Sequence, residues 1–387
     1  MQRDYDVIVV GLGGLGSAAA YWLARAGARV LGLEQFELGH VRGASHDHSR
    51  IIRLSYHTPF YVALAKQAYA AWAAVEMDAG EPLILRTGGL DLEPANAAIS
   101  LDDYGASLRA EGVPFEWLDA DEIMRRWPQF CLTPDVRGLY QAQSGIAPAA
   151  RSNATHQRLA SAYGAVLRDN TPLRGVRAVG GEVEVLTDEG ALRAGHLVVT
   201  ADAWTNDILA HLGVRLPLTV TQEQVTYFAL PHKDSFAPDR FPVWIWMDEP
   251  CFYGFPLYGE PAVKVAQDVG GREVTAQTRT FDPDPAILAR TEAFLARCLP
   301  SAQGPVYYTK TCLYTMTPDR DFVIDTVPGH PNIAVGLGAA HGYKFAAVIG
   351  RLLAGLAGFG AVDADLSPFA MDRAILLEQD PVRSFLI

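Results

Sequence analysis

The sequence predicts an α/β fold, α+β overall, in which a Rossmann-like nucleotide-binding domain is interrupted by an inserted antiparallel-sheet domain. Three features predict it. The first is Asp6–Glu34, where an apolar run meets clustered glycines, an amphipathic segment and a second apolar run closed by an acid. The second is a buried-type strand at Leu197–Thr200, too far along the chain to be contiguous with that opening unit. The third is Leu216–Val265, where aromatic and β-branched residues recur at hairpin spacing.

In the opening unit, Val7–Val10 is short and β-branched enough for a buried parallel strand. Gly11, Gly13 and Gly16 form G-x-G-x-x-G. Gly11 permits a tight turn, Gly13 lets the backbone approach a pyrophosphate, and Gly16 lets helix and strand pack closely. Ser17–Ala28 reads as the helix whose positive N-terminal end faces that pyrophosphate. Val30–Leu33 is the next strand, and Glu34 stands where an acid hydrogen-bonds a ribose hydroxyl. This motif selects a dinucleotide and leaves NAD and FAD equally open.

At 387 residues the chain exceeds one ordinary core and suggests two domains. With 32 Lys and Arg against 44 Asp and Glu, the net charge of −12 argues against nucleic acid or an anionic membrane as partner. Cys131, Cys251, Cys298 and Cys312 are scattered without a C-x-x-C, so zinc and redox-disulfide chemistry are not indicated. The first strand begins too early to leave room for a signal peptide, and Phe345–Phe359 is too short to span a bilayer and contains Arg351. The expectation is a cytoplasmic protein.

Past Glu34, the polar segment Gly39–Tyr56 ends in Arg50-Ile-Ile-Arg53, whose two arginines are three apart and hence on one side of a helical turn. His46-Asp47-His48 is a poor metal site, because adjacent side chains diverge. Residues 60 to 76 read as a helix, Leu83–Leu92 as a strand pair, and Leu101–Gly112 and Asp119–Trp127 as helices. A strand and turn cover Arg137–Ile146, and a helix follows from about Ala150 to Tyr163. After the antiparallel stretch come a helix ending near Cys298 and strands at Val306–Tyr314, Phe322–Asp325 and Ile333–Gly336. The tail closes with Gly338, His341-Gly-Tyr-Lys344 and a helix over Phe345–Leu356. These elements divide the chain into a discontinuous nucleotide-binding domain (1–82, 147–213 and 318–387) and a substrate domain (83–146 and 214–317).

The chain resembles the monomeric sarcosine oxidase and N-methyl amino acid oxidase family, among flavoproteins related to glycine and D-amino-acid oxidases. The resemblance rests on the opening βαβ unit, Ser49-Arg50-Ile-Ile-Arg53 with Tyr56, Arg126-Trp-Pro128, and Tyr253-Gly-Phe-Pro256 with Lys264. Its strongest part is Cys312-Leu-Tyr-Thr-Met-Thr-Pro-Asp-Arg-Asp-Phe-Val-Ile-Asp325, followed by Gly338 and His341-Gly-Tyr-Lys344-Phe345. It implies FAD as cofactor, attached covalently through its 8α position to Cys312. It also implies cofactor contacts from Ser45, His46, Ser49, Arg50, Gly338 and Lys344. Arg50 would lie against the flavin ring, and Arg53 with Lys344 would hold the substrate carboxylate. Lys264 would face the flavin and promote reaction with oxygen, a fixed charge stabilising the developing anions. Tyr253, Tyr314 and His341 would line the substrate pocket.

The implied activity is oxidation of a secondary or N-methylated amino acid to an imine by a monomeric enzyme, with O2 as acceptor and hydrogen peroxide as product. A dehydrogenase or imine-forming biosynthetic flavoenzyme on the same fold is the main alternative, and a catalytically silent nucleotide-binding protein is another. Three positions depart from the family pattern. Asp268 stands where a histidine is usual, Asp202-Ala-Trp204 replaces Gly-Ala-Trp, and His48 stands where the sarcosine enzymes have an acid. Asp268, if it faces the pocket, is expected to favour a cationic group. Asp202 is expected to crowd a cofactor contact.

Overall fold

The computed structural model describes residues 4–384. Tyr5–Val10 is the central strand of the first sheet, buried over its last four residues, and pairs in parallel with Val30–Leu33 on one side and Gly190–Val199 on the other. His330–Leu337 adds a further parallel strand along the end of Gly190–Val199. The opening strand therefore finds a parallel neighbour nearly two hundred residues later, as the isolated buried-type run at Leu197–Thr200 requires.

The helix after the glycines spans Gly14–Arg25, rather than beginning at Ser17. Gly13 is already its N-cap, so Gly16 lies within the first helical turn and not in the loop before it. This helix packs between Ala149–Ala162 and Ala346–Leu356, and the small side chains Ala18, Ala19 and Ala20 and the apolar Val348, Ile349 and Leu352 are completely buried there. The long helix Pro59–Ala79 covers the last of these and is stopped by Gly80 in the left-handed region. Its Trp72 is fully buried, and the indole Nε1–H donates to the carbonyl of Lys344 at 2.8 Å. A core residue thus pins the backbone of a predicted site residue. Truncating a Trp buried to this degree typically costs about 3–5 kcal/mol.

The second sheet has nine strands, built from 89–141 and from 219–316. It is not wholly antiparallel. Val243–Trp246 runs parallel to Gly89–Glu93, because these neighbours come from separate stretches of chain rather than from one hairpin. Elsewhere the expected antiparallel pairing holds, with the long strands Thr219–Ala229 and Val306–Met316 side by side and Glu223 opposite Cys312. A small third sheet joins Arg50–Ile52, Gly145–Ala147 and Leu85–Arg86. Among the described residues no helix is long and apolar enough to cross a membrane.

Candidate active site

One elongated cavity of about 670 Å³ runs from the glycine loop to Lys344, bounded by both large sheets. Its volume is that of a site for a sizeable small molecule. At one end Gly11 holds φ +87°, and a Cβ there would lie 2.6 Å from the Thr200 carbonyl oxygen. A Cβ on Gly16 would lie 1.8 Å from the Gly11 oxygen, so any side chain would force helix and strand apart. Gly13 lines the cavity itself. Ser45 is placed by accepting the Gly14 N–H at 2.8 Å, at the start of the helix. Glu34 lines the cavity from the end of its strand, one oxygen taking the Leu12 N–H at 2.9 Å and the other the Phe36 N–H at 3.2 Å. Glycine backbone, helix N-terminus and acid thus converge on one space, as a dinucleotide requires.

Arg50 and Arg53 do not share a helical turn. Arg50–Ile52 is a β-strand, held by pairing with Gly145–Ala147. β-branched Ile51 and Ile52 favour that state, and the partner strand lies too far along the chain to be anticipated locally. Both arginines nevertheless line the cavity, because Arg53 follows the strand and is not bound by its alternation. Arg50 staples its own approach loop, donating to the carbonyls of Ala44 at 2.7 Å, His46 at 2.9 Å and Ser49 at 2.8 Å. Arg53 is buried, donates to Asp91 at 3.2 Å, and lies over the rings of Tyr56 and Tyr104. Asp91 was not singled out in the sequence. It sits in the strand Gly89–Glu93, and an acid in an otherwise buried strand was the available signal.

Lys344 lies in the short 3₁₀ turn Gly342–Phe345 and also lines the cavity, as do Gly338 and His341. Among the described residues no side chain comes within ion-pair distance of its ammonium group. Burial, reinforced by Arg53 and Arg320, lowers its pKa to about 7. His341 donates its Nε2–H to the Arg320 carbonyl, 2.9 Å away, and burial keeps its ring neutral. Tyr253 and Tyr314 complete this end, both hydroxyls pushed up in pKa by burial.

Lys264 and Ser49 do not line the main cavity. Lys264 is almost fully buried behind it, its ammonium group 4.7 Å from the centre of the Phe255 ring, and Phe255 forms the wall. Its Nζ meets Asp47 at 2.7 Å and the Ser49 carbonyl at 2.8 Å. Burial lowers the Lys264 pKa to about 8, with Asp47 opposing the fall. Asp47 adopts φ +80°, a left-handed conformation uncommon outside glycine, and also accepts from Tyr227 at 2.9 Å and Lys310 at 3.3 Å. The acid beside Lys264 is therefore Asp47, while His48 points elsewhere and meets Glu260 at 3.0 Å. His46 lines the cavity with both ring nitrogens unpartnered and its pKa lowered to about 3, chiefly by burial. The three side chains of His46-Asp47-His48 go separate ways, and among the described residues no metal-ligating cluster forms.

Cys312 lies in a small cavity whose walls His46, Arg50, Tyr253 and Tyr314 are shared with the large one. Burial raises its thiol pKa to about 11, against the pull of Arg50.

The two remaining departures have structural answers. Asp268 does face the cavity, but it is not a bare carboxylate. Arg320 grips it with two donors at 2.8 and 3.0 Å, and Tyr314 donates at 3.3 Å. Burial pushes the Asp268 carboxyl up, and Arg320 outweighs it and holds it below the usual range. Arg320 was visible inside the Thr317-Pro-Asp-Arg-Asp321 run, but nothing in its spacing tied it to residue 268. Asp202 lines the cavity at φ +47°, a conformation glycine takes without strain, and burial raises its pKa to about 6.

Comparison with known proteins agrees with this architecture. Residues 6–356 match the family model described as FAD dependent oxidoreductase. The chain is 38% identical to a monomeric sarcosine oxidase of Streptomyces avermitilis over 372 residues, covering 92% of this chain and 94% of that one. It is 31% identical to an N-methyl-L-tryptophan oxidase of Salmonella newport over 375 residues, 95% and 99% of the respective chains. Among solved structures, NikD, described as an unusual amino acid oxidase essential for nikkomycin biosynthesis, superposes with a TM-score of 0.84 at 28% identity, covering 95% of this chain and 98% of its own. With a glycine-lined loop and a group of cationic side chains in one cavity, and a family match over most of its length, the chain belongs to the family of FAD dependent oxidoreductases.

Proposed function

We propose that this enzyme oxidises a secondary or N-methylated amino acid, holding its carboxylate on Lys344 and Arg53 and yielding an imine and, with O2, hydrogen peroxide. The observation that carries this reading is the Lys344 ammonium, a partly buried cation facing the cavity with no carboxylate at ion-pair distance among the described residues. Burying such a charge is costly unless an anion arrives to share it. A carboxylate between an ammonium and a guanidinium is held by charge-assisted hydrogen bonds that also orient the molecule. The relatives named for sarcosine and N-methyl-L-tryptophan oxidation support the substrate class.

FAD, when bound by the glycine cradle, Glu34, Ser45 and Arg50, supplies the two-electron acceptor chemistry. The protein's own groups orient the substrate and set its charge. Lys344, with no carboxylate partner among the described residues, gives the cavity a positive potential, which disfavours an ammonium and favours the neutral amine needed to release electrons. Lys264 keeps a proton and a positive charge at Nζ, fixed by Asp47 and Ser49, where anions formed from oxygen would be stabilised. Cys312 would provide the thiol for covalent attachment, and Arg50 and Lys264 partly offset the burial that favours its protonated form.

The test is a panel of N-methyl amino acids, cyclic imino acids and bulkier secondary amines added anaerobically to the purified yellow protein. Bleaching by members of the panel, followed by peroxide release on admitting air, is the expected result. A flavin spectrum unmoved by every member would refute the substrate class, and bleaching without peroxide would point to a dehydrogenase.

A further inference from the structure

Two ion pairs are built into or against the cavity wall, and they leave it with an unusual charge balance. Arg53 is matched by Asp91, and Arg320 by Asp268. Arg50, which also lines the cavity beside Tyr343, is engaged with the carbonyls of its own loop, so the Lys344 charge awaits an anion. One substrate carboxylate completes the set. A second charged group on the substrate would have no partner in a desolvated space.

We propose that Arg320 determines specificity by cancelling Asp268, so that the cavity selects a carboxylate-bearing amine whose remaining substituent is uncharged. The proposal rests on the carboxylate-binding reading of Lys344 and Arg53. Arg320 is 1% exposed yet lines the cavity, and its planar fork meets both Asp268 oxygens. Its position is enforced by the backbone. The residue holds φ +59°, its N–H donates to Thr317 at 3.1 Å, and its carbonyl meets His341 at 2.9 Å. A left-handed conformation at a residue with a long side chain persists only where surrounding contacts impose it. Asp268 ends the strand Ala262–Asp268 with its side chain 20% exposed, open on the cavity side where Tyr314 reaches it. Without Arg320, that carboxylate would attract a cationic substituent. Without Asp268, the guanidinium would attract an anionic one. Arg320 is therefore a positioning and specificity residue acting through Asp268, and not a member of the reacting set.

The experiment uses the FAD-loaded wild type, R320M, D268N and the double variant. Three ligands share a carboxylate and differ in the tail: pentanoate (uncharged), 5-aminopentanoate (cationic) and glutarate (anionic). Dissociation constants are read from the change in the visible flavin spectrum, which needs no turnover. Wild type should prefer pentanoate. R320M should shift the preference toward 5-aminopentanoate, and D268N toward glutarate, each by about tenfold or more, the size of a change in one close charge contact. The double variant should return to pentanoate. The same ranking in all four proteins would overturn the proposal, as would a wild type that prefers the cationic tail; either result leaves the carboxylate reading intact. A wild type that binds none of the three refutes the carboxylate reading, and the proposal with it. If R320M does not fold, D268N decides alone, since an unchanged glutarate-to-pentanoate ratio there overturns the role of Arg320.

Discussion

If Lys344 holds the substrate carboxylate as proposed, its depressed pKa makes binding a proton-coupled event. With the cavity free of ligand, burial and the neighbouring Arg53 and Arg320 bring this lysine to about 7. Only its protonated form is a partner for a carboxylate, so above that value each bound anion must be accompanied by a proton. Affinity for a simple carboxylate should be level below pH 7 and fall tenfold per pH unit above it. Two units higher, about 1% of the lysine is charged and binding is about 100-fold weaker, or ~2.7 kcal/mol. Pentanoate is a suitable probe because it lacks an amine and does not itself titrate in this range. Titration calorimetry in two buffers of different ionisation heat, repeated across pH, reads both the affinity and the proton uptake. K344M should bind about 100-fold more weakly below pH 7, toward the upper end of the loss expected for a charge-assisted hydrogen bond, and its profile should be flat. Lys264 also titrates low, at about 8, but lies behind the wall and should leave no slope in K344M. A flat wild-type profile, or an identical slope in K344M, would refute the assignment of the carboxylate to this lysine.

Three further outcomes are expected. K264M should slow the oxygen-dependent return of flavin colour by about 100-fold while changing substrate-driven bleaching far less, by stopped-flow absorbance, as for removal of one preorganised charge; equal slowing of both would contradict its role. Acid precipitation of the wild type should give a yellow pellet, and C312S a colourless pellet with yellow supernatant; a colourless wild-type pellet would sink covalent attachment while sparing FAD binding. D91A should lower folding stability by about 3–5 kcal/mol in denaturant titrations, because it strands a buried guanidinium whose present contact is 3.2 Å. A loss under about 1 kcal/mol would mean that water or another group compensates Arg53.

Much of the site could be anticipated from local pattern. Gly11, Gly13 and Glu34 needed only their order within one strand–helix–strand unit, because the chemistry of a dinucleotide cradle is local. Lys264 stood out as a cation within an apolar run, and the structure places it in a buried strand. Side chains that work in pairs across the fold were not legible. Asp91 with Arg53 and Asp268 with Arg320 join residues 38 and 52 positions apart. Asp47 and Lys264 meet across a still longer stretch of chain. No local pattern links partners at such separations.

The same limit applies to segments whose backbone state is set by long-range pairing. Arg50–Arg53 has helix-compatible spacing, and only its pairing with a strand near residue 146 makes it extended. Within the second sheet, the parallel junction of Gly89–Glu93 with Val243–Trp246 is a long-range pairing that no hairpin signal announces.

By itself, the sequence determined the nucleotide cradle, the β-rich second half and the presence of lone cations among apolar residues, since turn geometry, strand periodicity and the burial cost of charge act over a few neighbours. The tertiary structure alone decided which cations are matched by protein carboxylates and which face the cavity. Arg53 and Arg320 are paired with carboxylates, and among the described residues Lys344 is not. That distinction depends on where distant strands set their side chains in a dry space, and electrostatic balance there is a property of the whole enclosure.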